Sequence, residues 1–477
     1  MTYAPVYSAA CVDLALSHDW AGDAGPGAFH GTAGNPACGD AVEIGIRLDG
    51  GRVAAARHRT FACPHATAAA ELVCRLVEGC DLLAAARVGR SDVDERVEPP
   101  DAARVCTDLA IDALHSALAV AVAGARLEAV PGRIVVAMSG GVDSAVALTK
   151  AIDAGLSPVG VTLRLWVDPE APHGERACCS PEAVRSARET CHRLGVAHLA
   201  IDLRDEFRHA VVDDFVAAHA VGRTPNPCMR CNGAFRFSAI VAVADRIGDE
   251  RIATGHYARI ERRDGTALVA RGADSAKDQS YMLASVPSEI LERCWFPLGG
   301  QTKARTRAEA QAAGLAAAGA RESQEVCFVG GGDHRTLVER MGGAGPAGDI
   351  VDVSGRVLGR HAGLHRFTPG QRRGLGLGGG DAAYVVRTEP ATGRVVVGSR
   401  AELARTSVRV NPGRMYVATE RVRAKLRYRQ TAVWATVTPV DGGGFALDLD
   451  EPVEGVAPGQ AAVLYDGDAV VGAGTIA

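Results

Sequence analysis

Ser139 to Ser144, reading SGGVDS, constrain the fold of this chain more than any other stretch. The apolar run Ile134-Val135-Val136-Ala137-Met138 before them has the character of a buried parallel strand, and Ala145-Val146-Ala147-Leu148 after them begins a helix. Strand, glycine turn and helix in that order belong to a doubly wound parallel sheet. The same order builds an anion site. Gly140 and Gly141 let backbone N–H groups approach a phosphate, Ser139 and Ser144 bring hydroxyls, and the helix N-terminus adds its dipole. Asp143 is placed to hold Mg2+ beside the phosphates. An ordinary glycine turn would explain a lone Gly-Gly, but here motif and context coincide.

The pattern is not the GxxxxGK[ST] loop. It resembles the PP-loop of ATP pyrophosphatases, which cleave ATP between the alpha and beta phosphates and adenylate a substrate oxygen. At 477 residues the chain has room for three or four such units, taking domains of roughly 100 to 200 residues. Residues 133–338 alternate apolar strands (134–138, 158–163, 198–201, 251–254) with helical segments and form the PP-loop catalytic domain. Residues 1–125 read as a compact α+β unit, with a hairpin around Asp49-Gly50-Gly51 and helices near 66–78 and 105–122. A central β-rich domain at 339–405 and a small C-terminal β-barrel at 406–477 complete a multidomain α/β chain.

The net charge of -4 does not advertise nucleic acid, although a local basic patch suffices for phosphate contacts. No apolar stretch reaches the length of about 20 residues that a bilayer requires, and the first residues carry acids but no basic leader region, so a cytoplasmic location without membrane contact is expected. Thirteen cysteines in a chain of this size point to metal, cluster or thiol chemistry rather than a disulfide framework. Lysine survives only at Lys150, Lys277, Lys303 and Lys425 against arginine everywhere else, which marks these as places for a compact ammonium.

Cys228 and Cys231 in GRTPNPCMRCN, and Cys327 in ESQEVCF, are the prominent thiols of the catalytic unit. Pro225 and Pro227 should hold the CxxC loop extended, with Arg223, Arg230 or a nearby helix N-terminus lowering a thiol pKa; a CxxC buried on a helix face is the structural alternative. Cys178, Cys179 and Cys191 read as structural.

Residues 133–477 resemble the tRNA-specific 2-thiouridylase family. The resemblance rests on SGGVDS, GRTPNP at 222–227, ATGHYAR at 253–259, KDQSY at 277–281, FPLG at 296–299, SQEVCF at 323–328, the 361–376 run ending in GQRRGLG, and RYRQ at 427–430. It implies ATP-dependent 2-thiolation of the wobble uridine of tRNA. ATP would contact Ala137, Met138, Ser139, Gly140, Gly141, Val142, Asp143, Ser144, Leu163 and Gly255. tRNA would meet Asn226, Pro227, Cys228, Lys277, Asp278, Gln279, Arg427 and Tyr428. By the same resemblance Cys327 carries the persulfide and Cys231 releases the sulfur. Cys228 stands where one form of the family has aspartate. Three thiols therefore favour a 4Fe-4S cluster on Cys228, Cys231 and Cys327, with a persulfide relay as the alternative.

NPACGD at 35–40, FACPHA at 61–66 and RVCTDLAIDAL at 104–114 give the N-terminal unit a resemblance to U-type (IscU/NifU-like) iron-sulfur scaffolds. Cys38, Asp40, Cys63 and Cys106 are the implied cluster ligands. Val105 replaces the histidine many scaffolds carry, and His65 is either its substitute or a solvated loop residue. The unit either assembles and delivers a cluster or only docks a cysteine desulfurase. A PP-loop synthetase or a non-catalytic cluster carrier would leave part of this constellation unused.

Overall fold

Val42, Ile44 and Ile46 are fully buried at alternate positions, so one face of their strand must be covered. This computed structural model describes residues 7–171, 180–315, 326–378, 383–428 and 430–477; Cys178, Cys179, Ser323 to Glu325 and Arg429 lie outside them. Helix α1 (Ala9–Ser17) is followed by the antiparallel sheet β1 (Phe29–Asn35), β2 (Asp40–Asp49) and β3 (Arg52–Phe61), in that spatial order. Gly50 and Gly51 turn the expected hairpin with φ of 54° and 82°, a region that side chains with Cβ rarely enter. Strand β1 was not legible in FHGTAGN, which lacks apolar alternation. It is held by contact instead: a Cβ on Gly31 would lie 2.1 Å from the backbone nitrogen of Ala117.

Four helices cover the sheet: α2 (Pro64–Val77), α3 (Leu82–Ala85), α4 (Arg90–Val97) and α5 (Arg104–Gly124). The expectation that no segment is apolar enough to span a bilayer needs correction, since 101–124 passes by length and composition. Its apolarity has another cause. Leu109, Ile111, Leu114, Leu118 and Val122 are buried, and the helix packs on β1, β2 and α2 as the core helix of its unit.

The catalytic unit runs β4 (Arg133–Ala137), α6 (Val142–Asp153), β5 (Ser157–Arg164), α7 (Pro181–Arg193) and β6 (Ala197–Asp202). Helices α8 (Arg204–Phe207), α9 (Asp213–Ala220), α10 (Pro227–Cys231) and α11 (Phe237–Arg246) then return the chain to β7 (Ile252–Ala253). After a hairpin, β8 (Ala258–Arg263) and β9 (Thr266–Arg271), come α12 (Ser280–Leu283), α13 (Ser288–Leu291), β10 (Cys294–Trp295), α14 (Lys303–Ala312) and α15 (His334–Arg340). The parallel sheet has the order β10-β7-β4-β5-β6, so the order reverses at β4 and opens a crevice at the strand ends there. Hairpin β8–β9 departs from the expected alternation: it leaves the parallel sheet and joins the C-terminal one through Ala270 and Ala469.

A four-stranded sheet of β11 (Gly348–Asp352), β12 (Val357–His361), β13 (Tyr384–Glu389) and β14 (Arg394–Gly398) forms the central unit. Strands β15 (Ala404–Met415), β16 (Arg421–Lys425), β17 (Val433–Val440), β18 (Gly444–Glu454), β19 (Ala461–Asp466) and β20 (Ala469–Ile476) close into a barrel through the β15–β20 pairing. Closure removes the free edges that six alternating strands would otherwise expose.

The N-terminal unit docks on the free edge of the parallel sheet. The backbone N–H of His198 on β6 donates to Ala86 O at 3.2 Å, and Asp112 on α5 takes Arg185 and Arg188 of α7 at 2.6 and 2.7 Å.

Candidate active site and iron-sulfur site

The SGGVDS loop is tied to itself by its serines. Ser144 Oγ donates to Gly141 O at 2.9 Å and accepts from the Ser139 N–H at 3.1 Å, which fixes the turn before α6. Gly140 has φ 73°, and a Cβ there would lie 2.5 Å from Ala183 O of α7. Gly255, just after β7, is equally constrained, since its Cβ would meet the Asp143 carbonyl carbon at 2.7 Å. Backbone therefore crowds backbone where phosphates would enter. A cavity of about 200 Å³ opens there, lined by Ala137, Met138, Ser139, Asp143, Ser144, Leu163 and Gly255 from the expected ATP set.

Arg236, Phe237, His256 and Gln279 also line it. His256 shares a 2.6 Å hydrogen bond with Thr254 Oγ1, and burial, reinforced by Arg236, pushes its pKa down to about 3. It is thus a neutral imidazole. Sequence reading missed Arg236 and His256, although His256 lies within the quoted ATGHYAR segment.

Asp143 is held by a polar network. Lys303 Nζ donates to its two oxygens at 2.6 and 2.7 Å, and the Tyr257 hydroxyl donates to Oδ1 at 2.8 Å. Gln301 and Thr306 extend the network to Glu309, which pairs with Lys150 at 3.1 Å. Two of the surviving lysines therefore support the loop. The signal for them was compositional, and only the fold shows their partner.

The CxxC does not sit in an extended loop, as its prolines suggested. Asn226 Oδ1 caps a short helix by accepting from Met229 N at 3.1 Å, and Pro227 takes the first helical position, where a missing N–H costs nothing. Cys228 and Cys231 thus lie one turn apart on α10, Cys231 buried and Cys228 partly so. Burial raises the Cys228 pKa most, the Cys231 thiolate raises it further, and Arg236 opposes both. Arg230 is not the helping cation: it donates to Ala210 O at 2.7 Å and pairs with Asp214 at 3.3 Å.

Cys327 opens the turn Cys327–Val329. Phe328 beside it lies 6.0 Å from Phe207, and Phe207 lies 5.6 Å from Phe235, just after Cys231. One aromatic ring thereby carries both thiol segments.

Among the residues expected at tRNA, Gln279 turns toward the ATP cavity and accepts from the Tyr257 N–H at 2.8 Å. Asp278 accepts from Gly272 N, Ser280 N and Ser280 Oγ, shaping the turn that presents Lys277. Tyr428, beside Arg427, is 44% exposed with its ring 5.9 Å from Tyr281.

In the N-terminal unit, ligand atoms of Asp40, Cys63 and Cys106 all lie within 4.8 Å of one another, and the sulfurs of Cys63 and Cys106 are 3.4 Å apart. Burial, followed by Cys63, Asp40 and Cys38, pushes Cys106 up to about 12, as expected of thiols gathered without a cation. Cys38 stands exposed on the turn after β1, outside this tight group. His65 is not a solvated loop residue. It is buried at the start of α2 against the Tyr7 ring at 4.6 Å, and its Nε2 has no hydrogen-bond partner among the described residues. Cys191 is buried against Gly160, consistent with a structural role.

Four families match in succession: "NifU-like N terminal domain" at 21–122, "tRNA methyl transferase HUP domain" at 132–331, "tRNA methyl transferase PRC-barrel domain" at 335–399 and "Aminomethyltransferase beta-barrel domain" at 391–476. The chain is 42% identical over 475 residues to the bifunctional protein NifU/MnmA of Rubrobacter xylanophilus, covering 96% of each chain. It belongs to the tRNA-specific 2-thiouridylase family, in the form fused to a NifU-like domain. Unfused relatives match the remainder. The tRNA-specific 2-thiouridylases of Moorella thermoacetica and Rhodospirillum centenum are 43% and 44% identical over 72% of this chain and 98% and 91% of theirs.

Proposed function

We propose that this 2-thiouridylase family member is an ATP-dependent, cytoplasmic tRNA-uridine 2-sulfurtransferase acting on the wobble uridine. The observation that carries the reading is the shared residue Arg236. It lines the cavity of the SGGVDS loop, and its charge reaches the thiol of Cys228. Activation and sulfur chemistry would then meet at one mouth. ATP would lie along Ala137 to Ser144, Leu163 and Gly255, its phosphates on the loop N–H groups and the start of α6. Mg2+ entering with ATP would share Asp143 with Lys303.

The uridine C2 oxygen attacks the alpha phosphorus and pyrophosphate leaves; sulfur then bonds to C2 as AMP carries the oxygen away. Asn226 and Pro227 at the head of α10, with Lys277, Asp278, Arg427 and Tyr428, would hold the tRNA, and Gln279 would stand between base and nucleotide. The donor set fits an iron-sulfur group by type, three thiols with two of them one helical turn apart. A 4Fe-4S cluster on Cys228, Cys231 and Cys327 would supply an iron without a protein ligand as the sulfide carrier. The relay alternative needs only Cys231 and Cys327: the Cys231 thiolate attacks the inner sulfur of a Cys327 persulfide, a disulfide forms, and the sulfide released attacks C2. The third thiol favours the cluster, because Cys228 stands one helical turn from Cys231 and the relay gives it no role.

The N-terminal unit would assemble a cluster as cargo on Cys38, Asp40, Cys63 and Cys106, with sulfur from a cysteine desulfurase, and deliver it within the chain. Pyrophosphate and AMP release must depend on tRNA, and the product must contain 2-thiouridine at the wobble position. Release without tRNA would overturn the assignment. Anaerobic purification followed by iron and sulfide analysis of Cys228→Ala against wild type decides the finer question, because thiolation by iron-free protein would leave only the relay. Cys106→Ala is expected to lower iron in the catalytic part while ATP binding persists; full occupancy in vivo would argue against delivery in cis.

A further inference from the structure

Arg421, Arg423 and Lys425 occupy alternate positions of β16, with Val422 and Ala424 between them fully or almost fully buried. The charged side chains therefore share the outer face of the barrel, with neighbours spaced by about 6.6 Å along the strand. Beside them on β17 stands Trp434, 46% exposed and paired in register with Arg423. The guanidinium groups of Arg421 and Arg423 lie over its ring, 5.5 and 5.3 Å from the centroid. A half-exposed indole flanked by guanidinium groups offers a flat aromatic surface on which a base can stack.

This face is continuous with exposed Tyr428, one of the residues proposed to hold the tRNA. Tyr281 beneath it is fully buried, with its hydroxyl donating to Ala461 O at 3.0 Å. Lys425 lies over the rings of Tyr281 and Tyr428 at 5.4 and 5.7 Å, and the next outward residue on β16 is Arg423. Tyr428, Lys425, Arg423 and Trp434 thus form a strip in which two cations lie between two exposed rings. The charges differ in availability. Asp450 takes Arg421 in a two-oxygen pair at 2.8 and 2.7 Å, which orients that guanidinium against the ring. Arg423 has no carboxylate partner among the described residues, and the outward positions Trp434, Thr436 and Thr438 of β17 carry no acid. Exposed Asp448 and Asp450 on β18 border the strip on its far side.

We infer that the outer face of β16 and Trp434 form a second RNA-binding surface, which takes a tRNA strand running away from the target nucleotide. An unpaired base or ribose stacks on Trp434, and phosphates lie at Arg423 and Arg427. Sequence-tolerant stacking with cations in alternation is the chemistry of single-strand and loop binding. The inference rests on the reading of the chain as a tRNA enzyme and adds the direction in which the RNA leaves the site.

The test uses the full-length protein and unmodified tRNA, with affinity measured by anisotropy over a series of salt concentrations. Trp434→Ala is expected to weaken tRNA binding roughly 5- to 100-fold, and Trp434→Phe to restore most of it, as for loss of one stacked base. Arg423→Gln is expected to lower the slope of log K against log salt by about one. Trp434 is exposed, so the barrel survives its replacement, which circular dichroism checks. Wild-type affinity and salt slope in both Trp434→Ala and Arg423→Gln would overturn the surface while the tRNA reading stands. A wild-type protein that neither binds nor thiolates tRNA would instead sink the reading on which it rests.

Discussion

Asp249, far from the thiols, is the residue whose charge state costs this protein most visibly. Among the described residues neither carboxylate oxygen has a hydrogen-bond partner, Arg133 comes only to 3.7 Å, and burial pushes the pKa up to about 7. An acid raised on folding supports the fold fully below its unfolded pKa of about 3.9, and that contribution is lost as pH rises toward 7. Asp249→Asn is therefore expected to flatten the loss of stability between pH 4 and 7. It should raise the stability at pH 8 on the order of 1–4 kcal/mol, read as melting temperature against pH. Residues of this kind were invisible in the sequence, where Gly248-Asp249 reads as a turn. Lys303 was half visible: its rarity marked it, but its partner Asp143 stands 160 positions away.

Elements explain why the nucleotide loop was so legible. A strand, a glycine turn and a helix are local, and the motif needs no distant partner to be recognised. What the motif could not show is that α7 and the turn after β7 press on it from both sides. Gly140→Ala places a Cβ 2.5 Å from Ala183 O at a positive φ. Such a change is expected to cost about 2 kcal/mol or more in the loop. ATP affinity should fall at least tenfold, measurable by calorimetry, while far-UV circular dichroism is retained. The CxxC shows the opposite case. Pro225 and Pro227 suggested an extended loop, yet proline at the first helical position after an asparagine cap starts a helix as readily as it breaks one. Hairpin β8–β9 was absorbed into the alternation of the catalytic unit because hydrogen bonding to a strand near residue 469 leaves no trace in its own sequence.

At the scale of the whole molecule, the two halves meet through three histidines. His192 Nε2 lies 3.0 Å from Ala86 O, His115 lies 5.4 Å from His192, and His198 shares a 2.9 Å hydrogen bond with Thr162. Burial, followed by the charge of Arg188, depresses His115 and His198 well below normal; burial takes His192 to about 4, with the Ala86 carbonyl and Asp92 opposing and Arg188 reinforcing. Arg185 and Arg188 are shared by Asp112 across the contact. Exposed histidines bind protons first, near pH 6.5, so docking is complete above that value and weakens as pH falls toward 4. Hydrogen exchange along β6 should accelerate between pH 7 and 5, beyond its intrinsic pH trend and measured against β4 as internal reference. An unchanged ratio would show that the edge does not open.

The sequence by itself determined what is local: the phosphate loop, the apolar alternation of the sheets and barrel, the order of units and the identity of the thiols. Backbone periodicity and turn chemistry are written in consecutive residues. Tertiary structure decided which distant groups meet. It gave Arg236 to both the nucleotide cavity and Cys228, Lys303 to Asp143, Cys63 to Cys106, and the edge of the parallel sheet to the N-terminal unit. Side-chain contact depends on three-dimensional distance, and separations of 43 residues for Cys63 and Cys106 or 160 for Asp143 and Lys303 carry no local signature.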